Sequence, residues 1–360
     1  MKNHRFGKFN KIDRGGVRSH NLYDCITSRE NIFAAWREFQ NGKMKKTDVL
    51  DFAKNFEENL FNLRNDILSG RYRHGKYKSF FVCDPKRRHI HKASARDRVL
   101  HHAAHRVLYP IFDKYFIFDS YSSRKDKGTH KAIERFGNFA RKLSQNNTKT
   151  VWILKCDIRK FFDSVDHRIL LSIIKNKIND FKTINIIENI IFSFKNERGK
   201  GIPLGNLTSQ LFSNIYLNEL DHFIKRKLRV KYYVRYADDF IILSGDRPYL
   251  DNLLGGINKF LNEKLDLQLH LQKIIIKKYH QGVDFLGYVI FPHHNILRTR
   301  TKNRMINNIL KKLDNLEKRL TSETHFNQSL QSYFGILKHC RGLSIKKKTQ
   351  EIIYKKAEKT

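Results

Sequence analysis

Asp238 and Asp239 stand side by side in the run Val234-Arg235-Tyr236-Ala237-Asp238-Asp239-Phe240-Ile241-Ile242-Leu243. Two like charges about 4 Å apart repel by roughly 4 kcal/mol at an effective dielectric of about 20. A pair held among apolar neighbours therefore calls for a cation, and a hard divalent ion with oxygen ligands suits it. Aspartates also favour plain surface turns; the apolar flanks weigh against that reading. A third carboxylate, Asp157, closes the apolar run Val151-Trp152-Ile153-Leu154-Lys155-Cys156, eighty-one residues before Asp238. Such a set of carboxylates can hold two Mg²⁺ ions about 3.5–4 Å apart, an arrangement that activates a hydroxyl, neutralises a triphosphate and stabilises a leaving pyrophosphate.

The elements that must position these groups are also readable. Residues 234–243 are rich in β-branched and aromatic side chains around Ala-Asp-Asp, which predicts a β-hairpin with the Asp pair at its tip. Residues 151–157 predict a buried strand delivering Asp157 at its end, then a turn and a helix starting near Asp166. The interval between Asp157 and Asp238 allows two helices with their connections.

Lys and Arg number 71 against 35 Asp and Glu, a net charge of +36 at a pI near 10.1. An excess spread over the whole chain predicts a polyanionic partner, nucleic acid, with salt-dependent affinity. An aromatic content of 12% argues for a folded binder over a disordered basic coat. Cys25, Cys83, Cys156 and Cys340 show no Cys-x-x-Cys spacing, so neither a zinc site nor a disulfide framework follows. Without a signal-like leader or a run approaching 18 apolar residues, the expectation is a cytoplasmic protein with no membrane partner.

Residues 1–20 read as a basic arm. Ser28 opens a helix whose face carries Ile32, Phe33, Trp36 and Phe39, broken at Asn41-Gly42; Val49, Phe52, Phe56, Leu60, Leu63 and Ile67 continue at helical steps. A strand-rich section starts at Gly70, with a cation-loaded turn at 84–90, a helix from Ala95, and a second basic loop at 120–130 before another helix. His101, His102 and His105 cluster without an acidic or Cys partner for a metal. A helical stretch at 168–195, a glycine-rich loop at 199–205 and a long helix through Leu211, Ile215, Leu220, Ile224 and Leu228 follow. Residues 265–273 alternate as a strand with an exposed face should, and 299–360 read as helical.

Tyr236-Ala237-Asp238-Asp239, Asp157 through Phe162, and Gly201-Ile202-Pro203-Leu204-Gly205-Asn206-Leu207-Thr208-Ser209-Gln210 resemble, in this order, three motifs of reverse transcriptases. Each motif is short; the ordered set is specific, and the resemblance covers about residues 30 to 345. It implies an α+β right-hand polymerase fold with fingers, a ferredoxin-like palm and a helical thumb. The expected divisions are 1–69 (arm and helices), 70–150 (fingers), 151–291 (palm, with helices around 168–198 contributing to the fingers) and 292–360 (thumb). The implied activity is RNA-templated DNA synthesis with two Mg²⁺ ions, Mn²⁺ being a substitute, on an RNA template, a DNA or RNA primer and dNTPs.

By the same resemblance Asp157 and Asp238 ligate both ions, the Ile158 carbonyl completes the shell, and Asp239 assists. Arg88 and Arg124 would contact the triphosphate, with Lys86, Arg96 and Arg98 nearby. Phe162 would sit under the sugar and exclude a ribose 2′-OH. Leu204, Gly205 and Gln210 would line the nucleotide site, and Lys273 would protonate pyrophosphate. Phe285, Leu286 and Gly287 would form a primer-grip hairpin whose strands complete the palm. Gln331 through His339 resembles a thumb signature of group II intron and retroelement enzymes.

The loop departs from the common pattern: Leu204 precedes Gly205 where many reverse transcriptases carry Gln, and Ser209-Gln210 replaces Ser-Pro. This looks like the enzymes of diversity-generating retroelements, error-prone opposite template adenines. A Leu in place of an amide removes a polar contact, and hydrogen-bonding sites discriminate more strongly than apolar ones. That resemblance implies a template-repeat RNA and a small basic accessory protein as partners, in a bacterial, archaeal or phage setting. No nuclease extension is expected. The rival readings are a phage-defence or group II intron-like reverse transcriptase, and a non-catalytic RNA-binding scaffold.

Overall fold

Helix starts fall where the capping residues place them. In the computed structural model, which describes residues 22–83 and 86–357, α1 (Leu22–Thr27) precedes α2 (Arg29–Gln40), and the Ser28 hydroxyl accepts the Asn31 N–H. The expected arm at 1–20 lies outside the described residues, as do Asp84 and Pro85. The stripe from Val49 to Ile67 is divided between α3 (Thr47–Lys54) and α4 (Phe56–Leu68). Non-helical backbone at Asn55 lets Phe52 and Phe56 both pack on Trp36, at ring-centroid distances of 5.0 and 6.3 Å.

The strand-rich section begins later than expected, with β1 (Lys78–Val82) paired to β2 (Arg88–Lys92). Before it the chain is irregular, because Asp97 pins it: Tyr72 Oη donates to Oδ1 (2.8 Å) and the Gly75 N–H to Oδ2 (3.1 Å). Then come α5 (Ala95–Asp113), α6 (Thr129–Leu143), β3 (Trp152–Asp157) and α7 (Phe161–Ser164). Asp166 caps α8 (His167–Lys175) and Asp180 caps α9 (Phe181–Phe192). The long helix α10 (Leu207–His222) ends in a π-helical turn at Phe223–Lys227. Four α-helices and the π-helical turn therefore fill the interval that has room for two helices with long connections. The rest is β4 (Tyr233–Tyr236), β5 (Asp239–Ser244), α11 (Arg247–Leu265), β6 (Ile275–Lys278), β7 (Val283–Phe285), β8 (Tyr288–Ile290), β9 (Asn295–Leu297), α12 (Thr299–Glu317), α13 (Glu323–Leu337) and α14 (Leu343–Ala357).

Two units divide the chain. The first takes residues up to Phe80, then His89–Lys114 and Asp166–Ile215; the second takes Phe81–Arg88, Tyr115–Val165 and everything from Tyr216. In the first, α2 packs along α5, with Ile32, Ala35, Trp36, Phe39, Val99 and Leu100 buried. Arg96 and Arg98, expected near a triphosphate, are committed to structural ion pairs with Asp66 and Asp48.

In the second unit a four-stranded antiparallel sheet runs in the order β4-β5-β3-β6. Side chains on one face of a strand recur every second residue, so Val151 and Ile153 of the β3 segment meet Ile241 and Leu243 of β5 in one core. That core also holds Phe136 of α6 and Met305, Ile309 and Leu313 of α12. The hairpin β7–β8 does not complete this sheet: it joins β9 in a separate three-stranded sheet, and β6 supplies the fourth strand. Residues 265–273 are not a strand either. Leu265, Leu267 and Leu269 are buried alternately as the pattern implies. Leu265 nevertheless ends α11, a single bridge joins Leu269 to Ile158, and 271–273 is a 3₁₀ turn. Period-two burial requires only an extended chain, whereas a strand also needs a continuous ladder. Among the described residues, no helix is long and apolar enough to cross a membrane.

Candidate active site

Strand register brings the carboxylates together. In the antiparallel β3–β5 ladder Asp157 pairs directly with Asp239, so both side chains project from one face of the sheet. Tyr236 pairs with Asp239 across β4–β5, leaving Ala237 and Asp238 as a two-residue hairpin loop. A backbone bond ties this loop to the end of β3, the Ile158 N–H donating to the Asp238 carbonyl (3.2 Å), and the His270 N–H holds the Asp157 carbonyl (2.8 Å).

Ala237 has φ +54°, a region costly for a residue with a Cβ. Its carbonyl accepts a 3.1 Å hydrogen bond from Arg235 Nη1. Arg235 is 0% exposed, bonded to both Asp221 carboxylate oxygens at 2.7 Å and to Ser120 Oγ at 3.0 Å. Tyr233 Oη donates to the same Asp221 (2.7 Å). A buried, bidentate ion pair thus braces the strained tip from beneath. No role was assigned to Arg235 or Asp221 from sequence; a lone Arg among Tyr233, Val234 and Tyr236 in a buried strand was the available signal.

Electrostatics mark the three aspartates as a set. Burial raises the Asp238 carboxyl above its ordinary range, and the Asp157 charge adds to the shift. Burial likewise pushes Asp239 up to about 6, against the opposing pull of Lys155. Two ammonium groups answer part of the negative charge. Lys273 Nζ donates to Asp157 Oδ1 at 2.6 Å, and Lys155 Nζ stands 3.7 Å from Asp239 Oδ2 while donating to the Asp284 carbonyl at 2.9 Å. Lys155 lies two residues before Asp157, on the same strand face, so period-two spacing alone could have singled it out. Arg88 is exposed, and its charge acts on Asp238.

The donor chemistry fits a hard divalent cation. Every ligand candidate is an oxygen, and Asp239 Oδ1 is buried without a hydrogen-bond partner. Among the described residues no three His, Cys, Asp or Glu side chains are arranged to hold a metal ion; ammonium groups sit on two of the carboxylates instead.

The other candidates fall in several places. Phe161 is core, against Tyr216, while Phe162 beside it is half-exposed at a centroid distance of 5.4 Å. Arg124 uses Nη1 on the carbonyls of Ile117 (2.6 Å) and Ser120 (3.1 Å), bracing its own loop. Phe285 is fully buried, 6.2 Å from the Phe136 ring, so Leu286 and Gly287 alone form the hairpin tip, at φ +50° and +90°. Leu204, Gly205 and Gln210 belong to the first unit. There the Leu204 carbonyl accepts the His91 N–H (3.0 Å), and Asn206 bonds the His91 carbonyl and the Ala93 N–H. Gly205 has φ +107°, and a Cβ there would lie 2.8 Å from Ile90 Cγ2. The loop is therefore clamped on β2.

Comparison with known proteins agrees with this geometry. The family model described as "Reverse transcriptase (RNA-dependent DNA polymerase)" matches residues 78–290. "Protein YkfC" of Escherichia coli (strain K12) is 25% identical over 283 residues, 67% of this chain and 71% of that protein. "Group II intron-encoded protein LtrA" of Lactococcus lactis subsp. cremoris is 22% identical over 343 residues, 75% of this chain and 56% of that protein. Among solved structures, apo telomerase from Candida tropicalis superposes with a TM-score of 0.50 at 12% identity, over 72% of this chain and 57% of the telomerase chain. The chain thus spans little more than half the length of the latter two.

Proposed function

The chain belongs to the reverse transcriptase family and has its right-hand polymerase fold, and from that premise we propose that it copies an RNA template into DNA at Asp157, Asp238 and Asp239. The observation that carries this reading is the cross-strand pairing of Asp157 with Asp239, with Asp238 at the adjoining tip. All three would hold Mg²⁺, joined by the Ile158 carbonyl. Bound there, Mg²⁺ lowers the pKa of a primer 3′-hydroxyl and neutralises the triphosphate of a dNTP.

The chain's own residues do the rest. Arg235 and Asp221 hold the backbone of the Ala237–Asp238 loop in place before substrate binds. Lys273, resting on Asp157, is assigned to the leaving pyrophosphate as its proton donor. Arg88, whose charge reaches Asp238, is assigned to the phosphates. The half-exposed Phe162 ring beside core Phe161 is assigned to selection against a ribose 2′-OH.

For biological role, Leu204 before Gly205 supports error-prone copying in a diversity-generating retroelement, with a template-repeat RNA and a basic accessory protein as partners. A second reading, service to a group II intron, is favoured by the likeness to the intron-encoded LtrA protein. Sequencing the DNA made on a defined RNA separates them. Errors concentrated opposite adenines, relieved by Leu204→Gln, support diversification; faithful copying overturns it in favour of the intron-like reading.

A further inference from the structure

Helix α9 carries two apolar faces, one buried in its unit and one largely exposed, where the Phe192 ring meets His167 edge-on at a centroid distance of 5.6 Å. Ile184, Ile187, Ile190 and Ile191 are buried. Phe181 and Phe192, eleven residues or about three helical turns apart, share a face and are 74% and 53% exposed. Both line a cavity of about 780 Å³, together with Tyr23, Ile67, Tyr72 and Ile186. Every lining residue belongs to the first unit, and none is shared with the carboxylate cluster.

The walls are fixed in advance. Tyr23 donates its N–H to Asp180 Oδ2 (2.9 Å) and its hydroxyl to the Ile67 carbonyl (3.1 Å). Tyr77 Oη and Ser193 Oγ are 2.7 Å apart. Volumes of about 300–1,000 Å³ suit compact ligands, so one or two nucleotides fit.

Charge narrows the occupant. Arg73 and Lys182 line the cavity against a single acid, Glu188, which Lys175 already holds at 2.8 Å. A chain of net charge +36 repels a basic protein and attracts a phosphate backbone. The amides of Asn185 and Asn189 also line the cavity and can bond the polar edges of a base. Exposed phenyl rings lining one cavity with apolar side chains, cations and amides match the chemistry of single-stranded RNA binding.

We propose that this cavity is an RNA subsite that takes unpaired nucleobases, one on the Phe181 face and another on the Phe192 face about 16 Å along the helix, with Arg73 and Lys182 on the backbone. It rests on the polymerase reading only in naming RNA as the bound polymer.

The test uses the full chain saturated with an RNA-template–DNA-primer hybrid, to which a labelled mixed-sequence single-stranded RNA and its abasic counterpart are added. Wild-type protein binds the base-bearing RNA more tightly than the abasic one. Phe181→Ala/Phe192→Ala loses about 5- to 150-fold on the former for each stacked base, and binds the abasic RNA as wild type does. Its salt slope and its rate of primer extension stay unchanged, since phosphate contacts and the carboxylates are untouched. A bromouridine-substituted RNA crosslinks within 181–192. Equal binding of both RNAs by wild type, full affinity in the variant, or crosslinks mapping elsewhere would each overturn the proposal. A variant that keeps its RNA affinity yet loses a co-purifying protein would reassign the cavity to a protein partner. Absent primer extension in wild type counts against the polymerase reading alone, because the binding and crosslinking arms do not depend on it.

Discussion

Asp157 and Asp239 face each other as a directly paired couple across the β3–β5 ladder. Like charges in that relation destabilise a sheet, and burial raises the Asp239 carboxyl to about 6. The fold thus holds negative charge where it lowers stability, as a site organised for a cation would. Asp239→Asn should therefore abolish DNA synthesis and, in metal-free buffer at neutral pH, raise stability by on the order of 1 kcal/mol. Chemical denaturation of the two proteins with EDTA present checks it; a destabilised variant would show that Lys155 already neutralises the pair.

Arg235 and Asp221 are both fully buried and bonded bidentately. Removing one member of such a pair costs about 3–5 kcal/mol, because its partner stays charged and buried. Arg235→Ala should lower the urea midpoint accordingly. Arg235→Lys, keeping the charge but not the fork, should be milder in stability while still slowing synthesis, because the Ala237 carbonyl loses its donor. Equal effects of the two changes would reduce Arg235 to a plain stabiliser.

Lys273→Ala should slow single-turnover nucleotide addition by about 10²-fold or more, in the range of general acid catalysis, with unchanged affinity for template–primer. A change confined to affinity would make Lys273 a binding residue.

Acid should destabilise the first unit through its buried imidazoles. Burial lowers His102 and His105 to about 4 each, and His101 well below its ordinary value. The unfolded chain takes up protons first, so stability is complete above about pH 6.5 and falls as pH drops towards 4. Urea midpoints at pH 7 and pH 5 should differ, and His102→Gln/His105→Gln should shrink the difference. An unchanged difference would place the acid sensitivity elsewhere.

Much of the site was legible because it rests on local rules. The hairpin, the strand ending at Asp157 and the caps at Ser28 and Asp166 follow from β-propensity, turn chemistry and capping, which act within a few residues, although the tip is Ala237–Asp238 and Asp239 already belongs to β5. What depends on distant pairing was not legible. Nothing within residues 265–273 says that the chain there lacks a continuous ladder, and nothing in Val283–Ile290 says that its partner is β9 instead of the main sheet. Arg235 joins Asp221, Ser120 and Ala237 from three separate segments, a convergence visible only once folded. Phe285 read as a primer contact by its motif, but its side chain faces the Phe136 core.

The central claim is tested most directly by primer extension on an RNA template with Mg²⁺ and all four dNTPs, comparing wild type with Asp238→Asn. Template-complementary DNA from wild type, lost on chelation and absent from an Asp238→Asn protein that still binds the RNA, is the predicted result. No DNA from wild type, or equal DNA from the variant, would contradict the assignment of Asp157, Asp238 and Asp239 as the polymerising centre.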